Sequence, residues 1–61
     1  SAVYNMACLF AVYNQALPAC EWLQRAIELQ PSLYEFVQSD DNFEVIRNTT
    51  EFHAVIRKSE R

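Results

Sequence analysis

The N-terminal half of the chain places small and large side chains as two packed helices joined by a tight turn do. From Ala2 to about Tyr13 the side chains are apolar nearly all the way round, and Asn5 is the polar interruption. This pattern is typical of a helix buried on more than one side. Asn14 and Gln15 then break it, and asparagine is the best non-glycine residue for the left-handed conformation that ends a helix. We therefore predict a first helix followed by a tight turn.

A second helix is predicted from about Ala16 to Gln30. Pro18 is tolerated because it falls in the first turn, where backbone N–H groups lack intrahelical partners. This helix has two distinct faces. Its apolar face comprises Ala19, Leu23, Ala26 and Ile27, with Trp22 and Leu29 at the margins, and its polar face comprises Glu21, Gln24, Arg25 and Glu28. Pro31 ends the helix.

Three helix starts are predicted after the second helix. At each start, a capping residue is followed three positions later by a glutamate, which is typical of a helix N-terminus. The pairs are Ser32 with Glu35, Asp41 with Glu44, and Asn48 with Glu51. No run alternates apolar and polar residues as a strand does. We therefore expect an all-α fold, a helical hairpin followed by two or three short helices, with a frayed polar end from Lys58 to Arg61.

Size and charge narrow the function classes. The chain has 61 residues. The core of so small a domain rarely contributes more than about 3–5 kcal/mol to stability, so we expect it to pack against further protein. The apolar fraction of 51% predicts that some apolar surface faces a partner.

A net charge of −3 gives no electrostatic footprint for nucleic acid. No segment approaches the ~20 apolar residues that span a bilayer, and no secretory signal begins the chain, so we expect a cytoplasmic protein.

A small pair, Ala7 and Ala19, lies on the two predicted helices. Large side chains follow at Met6, Phe10 and Leu23, a further small one at Ala26, and Pro31 ends the segment. In this arrangement residues 2–31 resemble a tetratricopeptide (TPR) repeat, a 34-residue helix-turn-helix unit that stacks on copies of itself and whose small pair lets the two helices approach closely. The resemblance implies that residues 1–31 form one TPR-like hairpin.

The second half is similar to the tail that closes some bacterial TPR proteins. The matching elements are Asp41-Asn42-Phe43 and the segment from Arg47 to Phe52. The resemblance implies that residues 32–61 are capping helices of the same domain, which give a solenoid its polar end.

In this family the first helix of each repeat lines a groove that binds peptides. Carried over to this sequence, the groove face comprises Ser1, Tyr4, Asn5, Cys8, Ala11 and Val12. Among the aromatic residues, Tyr4 and Tyr13 are the candidate contacts, because they stand away from the Met6, Ala7 and Phe10 side of the helix. Asn5 also matches a peptide-clamping asparagine of chaperone-binding members. That clamp needs basic partners from adjacent repeats, so the alternative is that Asn5 is a consensus residue.

No cofactor or metal site is predicted. Cys8 and Cys20 lie on facing helices, and we expect free, largely buried thiols rather than a disulfide. Together with the distant His53 they do not make a zinc site. His53 has no nucleophile motif beside it and is expected to be a surface or packing residue.

Two further segments carry weaker motifs. Ser39 to Asn42 offers oxygen ligands without the glycine and spacing of a calcium loop, so helix capping is the simpler interpretation. Asn48-Thr49-Thr50 matches a glycosylation triplet, which we expect to be unmodified.

These observations favour a protein–protein interaction module that binds a protein or peptide, or a second copy of itself. Two alternatives stay open: a non-catalytic structural or regulatory piece of an enzyme whose active site lies elsewhere, and a purely structural cap. No nucleophile with its base, phosphate loop or metal set is present in the sequence, so we do not expect an enzyme.

Overall fold

The computed structural model describes residues 1–60, and five helices make up this part of the chain. They are α1 (Ala2–Val12), α2 (Ala16–Leu29), α3 (Leu33–Val37), a 3₁₀ helix (Asp41–Ile46) and α4 (Thr50–Ser59). No strand occurs between residues 1 and 60. The predicted all-α fold, a hairpin followed by short helices, is confirmed.

A Schellman motif closes α1 and forms the turn of the hairpin. The N–H of Gln15 donates to the carbonyl of Phe10 at 2.9 Å, and the N–H of Asn14 donates to the carbonyl of Ala11 at 3.0 Å. Asn14 has φ of 60°, so it adopts the left-handed conformation that this motif requires. Glycine is the usual residue there because it has no Cβ. The chain has no glycine, and Asn14 takes this position as predicted.

Prolines fix the two ends of α2. Pro18 is the third residue of the helix, where a missing N–H leaves no intrahelical hydrogen bond unmade. At the other end, Gln30 is extended, with φ of −143° and ψ of 89°. The residue before a proline is pushed out of the helical region, so Pro31 explains why α2 ends at Leu29.

Two of the capping residues predicted after α2 are wrong by one position. Asp40, rather than Asp41, accepts from the N–H of Asn42 at 3.0 Å and starts the 3₁₀ helix. Thr49, rather than Asn48, accepts from the N–H of Phe52 at 3.2 Å and starts α4. In each pair both neighbours have side chains suited to capping, so the sequence pattern alone does not distinguish them.

Two further details of this half differ from prediction. Ser32 precedes α3 as predicted, but its side chain makes no capping hydrogen bond. The last helix has ten residues and continues through Lys58 and Ser59, which were expected to be frayed. Arg61 lies outside the described residues. Phe52 and Val55 are buried and anchor the first half of this helix on the core.

One hydrophobic core joins both halves of the chain. The most extensive contact is between α1 and α2, whose small residues are almost fully buried. The 3₁₀ helix packs on α1, and α4 packs on α2. Since Glu51 lies near Cys20, and Ser59 shares a cleft with Ile27, α4 runs parallel to α2. The fully buried large side chains are Phe43, Leu23, Ile46 and Val37.

The left-handed Asn14 generates a stability prediction. A non-glycine residue in this conformation costs roughly 1–2 kcal/mol, and asparagine is better tolerated than alanine. We expect Asn14→Ala to lower the free energy of unfolding by about 1 kcal/mol. The melting temperature should then fall by roughly 4–8 °C, whereas Asn14→Gly should be at least as stable as the parent.

Asn5→Ala is the matched control, because Asn5 is an exposed asparagine inside α1. Alanine is the better helix former there, so a small gain of up to about 0.5 kcal/mol is expected. Equal losses at both positions in thermal unfolding would contradict a special role for the turn conformation.

Candidate functional site

The six predicted contact residues on and beside α1 do not share one surface. Asn5, Val12 and Tyr13 are exposed, and Cys8 is half-buried. Tyr4 is only 7% exposed and Ala11 is fully buried. The prediction that Tyr4 and Ala11 line an open groove is therefore wrong, since the chain itself covers them.

Tyr4 is covered by aromatic residues of the C-terminal half. Its ring meets Phe36 edge-on at a centroid distance of 5.9 Å and Phe43 at 5.8 Å. Its hydroxyl donates to Oδ2 of Asp40 at 2.5 Å. Tyr4 thus acts as a core residue that ties α1 to a segment 36 positions later.

Arg47 binds the backbone of the turn that contains Asp40. Its guanidinium donates to the carbonyl of Gln38 at 2.7 Å and to the carbonyl of Asp40 at 2.9 Å. It lies 5.7 Å from the ring centroid of Phe52, and its Nε is 3.3 Å from Glu44 Oε1. Arg47 thus satisfies the carbonyl of Gln38 and adds a second donor to the carbonyl of Asp40, which also accepts from the N–H of Phe43 at 3.1 Å, and the turn before the 3₁₀ helix is fixed.

Burial and the hydrogen bond to Asp40 both raise the pKa of the Tyr4 hydroxyl above its usual range. Burial is the larger cause, because an ionised phenolate loses its hydration. The negative carboxylate of Asp40 adds to the effect. Tyr4 is therefore a neutral hydrogen-bond donor at ordinary pH, with a structural role rather than an acid–base one.

Both cysteines are free thiols, in agreement with the prediction. Burial raises the pKa of Cys20 to about 11. Burial is also the main cause of the raised pKa of Cys8, with the negative charge of Asp40 next. A thiolate is the reactive form of cysteine, so neither residue is suited to be a nucleophile.

The open side of α1 carries several exposed apolar side chains. Helical periodicity places six residues on it, which we call the α1 face: Ala2, Asn5, Met6, Leu9, Val12 and Tyr13. Leu9 is 50% exposed, Val12 46% and Tyr13 71%. Met6 is half-buried and does not pack against the core. The α1 face is therefore apolar apart from the amide of Asn5.

Sequence reasoning missed Leu9 and Met6. Leu9 lies between the predicted residues Asn5 and Val12 at helical spacing, and that spacing was the signal that could have found it. Met6 was matched to a large position of the repeat, on the same side of the helix as Ala7 and Phe10. Because α1 is apolar on every side, its periodicity alone could not distinguish the covered face from the open one.

The first 20 residues contain no charged side chain. The first charged side chain is Glu21, so α1, the turn and the start of α2 carry none. Next to the α1 face, Val3, Glu21, Trp22 and Arg25 line a shallow groove of about 400 Å³. Trp22 is 38% exposed. This groove extends the apolar surface from α1 onto α2. Glu21 and Arg25 form its charged border.

The remaining polar candidates do not gather into a site. His53 and Asn48 are both exposed. Asp40, in the segment that was considered as a calcium loop, caps the 3₁₀ helix, which confirms the capping interpretation. Among residues 1–60, no three His, Cys, Asp or Glu side chains are placed to hold a metal ion. Within the same residues, no helix combines the length and hydrophobicity required to cross a bilayer.

The fold defines a class, a small all-α domain built on a helical hairpin. A scan against protein-family models finds no match, and searches of the curated proteins and the solved structures find no significant match either. The resemblance to TPR repeats therefore depends on the sequence pattern of residues 2–31.

The Tyr4 hydroxyl generates a prediction with a defined pH dependence. Tyr4→Phe removes one hydrogen bond to a carboxylate and should lower the free energy of unfolding at pH 7 by roughly 1.5–3 kcal/mol. Because the folded-state pKa is raised, the contribution of Tyr4 is fully present below the unfolded pKa of about 10 and is lost as the pH rises above it. The parent should therefore lose stability above about pH 10 more steeply than Tyr4→Phe does.

Denaturant unfolding of Tyr4→Phe, Asp40→Asn and the double variant measures the coupling between the two side chains. Tyr34→Phe is the matched control. Within residues 1–60 the Tyr34 hydroxyl forms no hydrogen bond, and the residue accepts one only through its backbone carbonyl. Additive losses at positions 4 and 40, or parallel alkaline curves for the parent and Tyr4→Phe, would refute the assigned role.

Proposed function

We propose that this chain is a protein–protein interaction module that binds a partner through the α1 face. The observation that carries the proposal is an apolar surface on α1 that the rest of the described chain leaves uncovered. Leu9, Val12 and Tyr13 stay about half exposed or more, although the core is closed without them. Large exposed apolar patches mark interaction sites in soluble proteins.

The chemistry of the surface restricts the partner. No charge lies on the α1 face, so an acidic or basic peptide finds no complementary group there. The partner surface must itself be apolar, with one hydrogen-bonding group for the Asn5 amide. An amphipathic helix fits this description, because its anchors recur at the spacing of one helix face.

The TPR resemblance supports the same proposal. In that family the first helix faces a partner. The equivalent positions Asn5 and Val12 remain exposed here, and so does the candidate contact Tyr13. Leu9 and Met6 extend them along the helix. Tyr4 and Ala11 contribute indirectly, because their burial fixes the orientation of α1. Free thiols at Cys8 and Cys20 agree with a reducing compartment such as the cytoplasm.

A displayed library of helical peptides tests the proposal against the immobilised chain. We expect selected binders to lose at least about 10-fold in affinity on Leu9→Glu, because a buried charge at the centre of the face has no partner. Binding is measured by titration of each selected peptide, and circular dichroism checks that the variant keeps its helices.

Leu17→Glu is the matched control. Leu17 is an exposed leucine that lies two residues before the buried Ala19, about 200° around α2 from it. Binders should tolerate this change. A library that yields no binder would favour a structural cap, and binders that tolerate Leu9→Glu would place the interaction elsewhere.

A further inference from the structure

We propose a second binding site, separate from the α1 face: a cleft along α4 that binds an extended acidic peptide segment carrying an apolar side chain. The cleft, which we call the α4 cleft, has a volume of about 400 Å³. Its lining includes Arg47, Phe52, Ile56, Arg57 and Glu60, and no residue of α1. Binding there is therefore independent of the function proposed for the α1 face.

The α4 cleft is elongated along one strip of the helix. Phe52, Ile56 and Glu60 recur at intervals of four, and residues with this spacing lie in a row on one helix face. With a rise of about 1.5 Å per residue, the row is about 12 Å long. An extended chain advances about 3.3 Å per residue, so a segment of about five residues matches this length.

The floor of the cleft is apolar. Phe52 is 3% exposed, and the guanidinium of Arg47 lies 5.7 Å from the centroid of its ring. Ile56 is half-buried, so its side chain provides the apolar surface that remains open. An apolar side chain of a ligand is removed from water when it covers this surface, which favours binding.

Two arginines supply the positive charge of the site. Arg57 is exposed and forms no ion pair with a side chain of residues 1–60. Arg47 is already fixed by Gln38, Asp40 and Glu44, which take three of the five N–H donors that a guanidinium has. An arginine held in place loses little conformational freedom when its remaining donors bind a carboxylate. Both side chains therefore suit carboxylate oxygens.

The acidic residues around α4 leave part of this positive charge without a partner. Glu44 pairs with Arg47, and Glu51 lies near Cys20, on the side of the helix that packs against α2. Glu60 lines the end of the cleft but forms no ion pair within residues 1–60. On a chain of net charge −3, the α4 cleft is thus a place where an acidic ligand finds complementary charge.

The combination of floor and charge favours a peptide segment as the occupant. A free oxyanion would use the arginines but leave the apolar floor open to water. A polyanion such as nucleic acid would be repelled by the net negative charge of the chain. In an extended segment every second side chain faces the same side. A leucine flanked by glutamates at every second position therefore presents all three groups to the cleft.

The probe is the pentapeptide Glu-Ser-Leu-Ser-Glu with both ends blocked, titrated to about 5 mM into the ¹⁵N-labelled 61-residue chain. Backbone amide signals of the α4 cleft should shift, with a dissociation constant on the order of 1 mM. Arg57→Gln should weaken binding about 3-fold, as expected for the loss of one exposed ion pair. A probe with glutamine in place of both glutamates should bind about 10-fold more weakly, because both pairs are lost.

Arg25→Gln is the matched control. It removes an exposed arginine and changes the net charge by the same amount, but Arg25 lines the groove beside Trp22. The probe should bind this variant as it binds the parent. Circular dichroism of both variants checks that the helices persist, because Arg57 lies in the last turn of α4, where a positive charge also stabilises the helix end.

Four results would overturn the inference. They are the absence of shifts up to about 5 mM, equal affinity for the glutamine probe, equal losses in the two arginine variants, and shifts confined to the α1 face. Inorganic phosphate that gives the same shifts with the same affinity would assign the cleft to free oxyanions and exclude a peptide occupant.

Failure at the α4 cleft is distinguishable from failure of the proposed function. Binding of the acidic probe should be unchanged by Leu9→Glu, whereas the helical peptides selected on the α1 face should be lost. An acidic probe that is lost on Leu9→Glu would exclude a separate site at α4.

Discussion

The close contact between α1 and α2 is the constraint on which the other contacts depend. Ala7 and Ala11 on one helix and Ala19 and Ala26 on the other are all at most 1% exposed. Small side chains allow two helix backbones to approach, and larger ones would separate them. Because the seam is filled by methyl groups, the large side chains lie on its two flanks. The flanks therefore determine where further elements can pack.

One flank is closed by the C-terminal half of the chain. The 3₁₀ helix places Phe43 and Ile46 into the core with no exposed surface, and Tyr4 links it to α1 through Asp40. On α2, the same flank receives α4. The other flank, which holds Val3 and Trp22, has no covering element within residues 1–60. An asymmetric hairpin results, with one completed side and one open side.

Local signals in the sequence were sufficient for the hairpin. The helix ends at Asn14 and Pro31 follow from backbone chemistry at single residues, and the structure places them as predicted. The caps at Asp40 and Thr49 differed by one position because each has a neighbour of similar chemistry. The 3₁₀ geometry from Asp41 to Ile46 was not predicted, since a short apolar turn with a cap is compatible with either helix type.

The site was harder to predict because it depends on contacts between distant residues. Asp40 and Phe43 decide that Tyr4 is buried, and no local pattern around Tyr4 signals this. The apolar character of α1 on every side hid the position of its open face. Leu9 was therefore overlooked, although helical spacing from Asn5 and Val12 pointed to it.

The composition of the α1 face is not dictated by folding. An exposed leucine gains little on folding, because its surface remains in water in both states. Asn5 occupies the same stripe and is exposed, which shows that a polar side chain is compatible with this side of the helix. Polar residues at Leu9, Val12 and Tyr13 would leave the core unchanged and reduce the apolar surface. The apolar side chains there contribute free energy only when another surface covers them, and this is the physical basis for assigning α1 to an interaction.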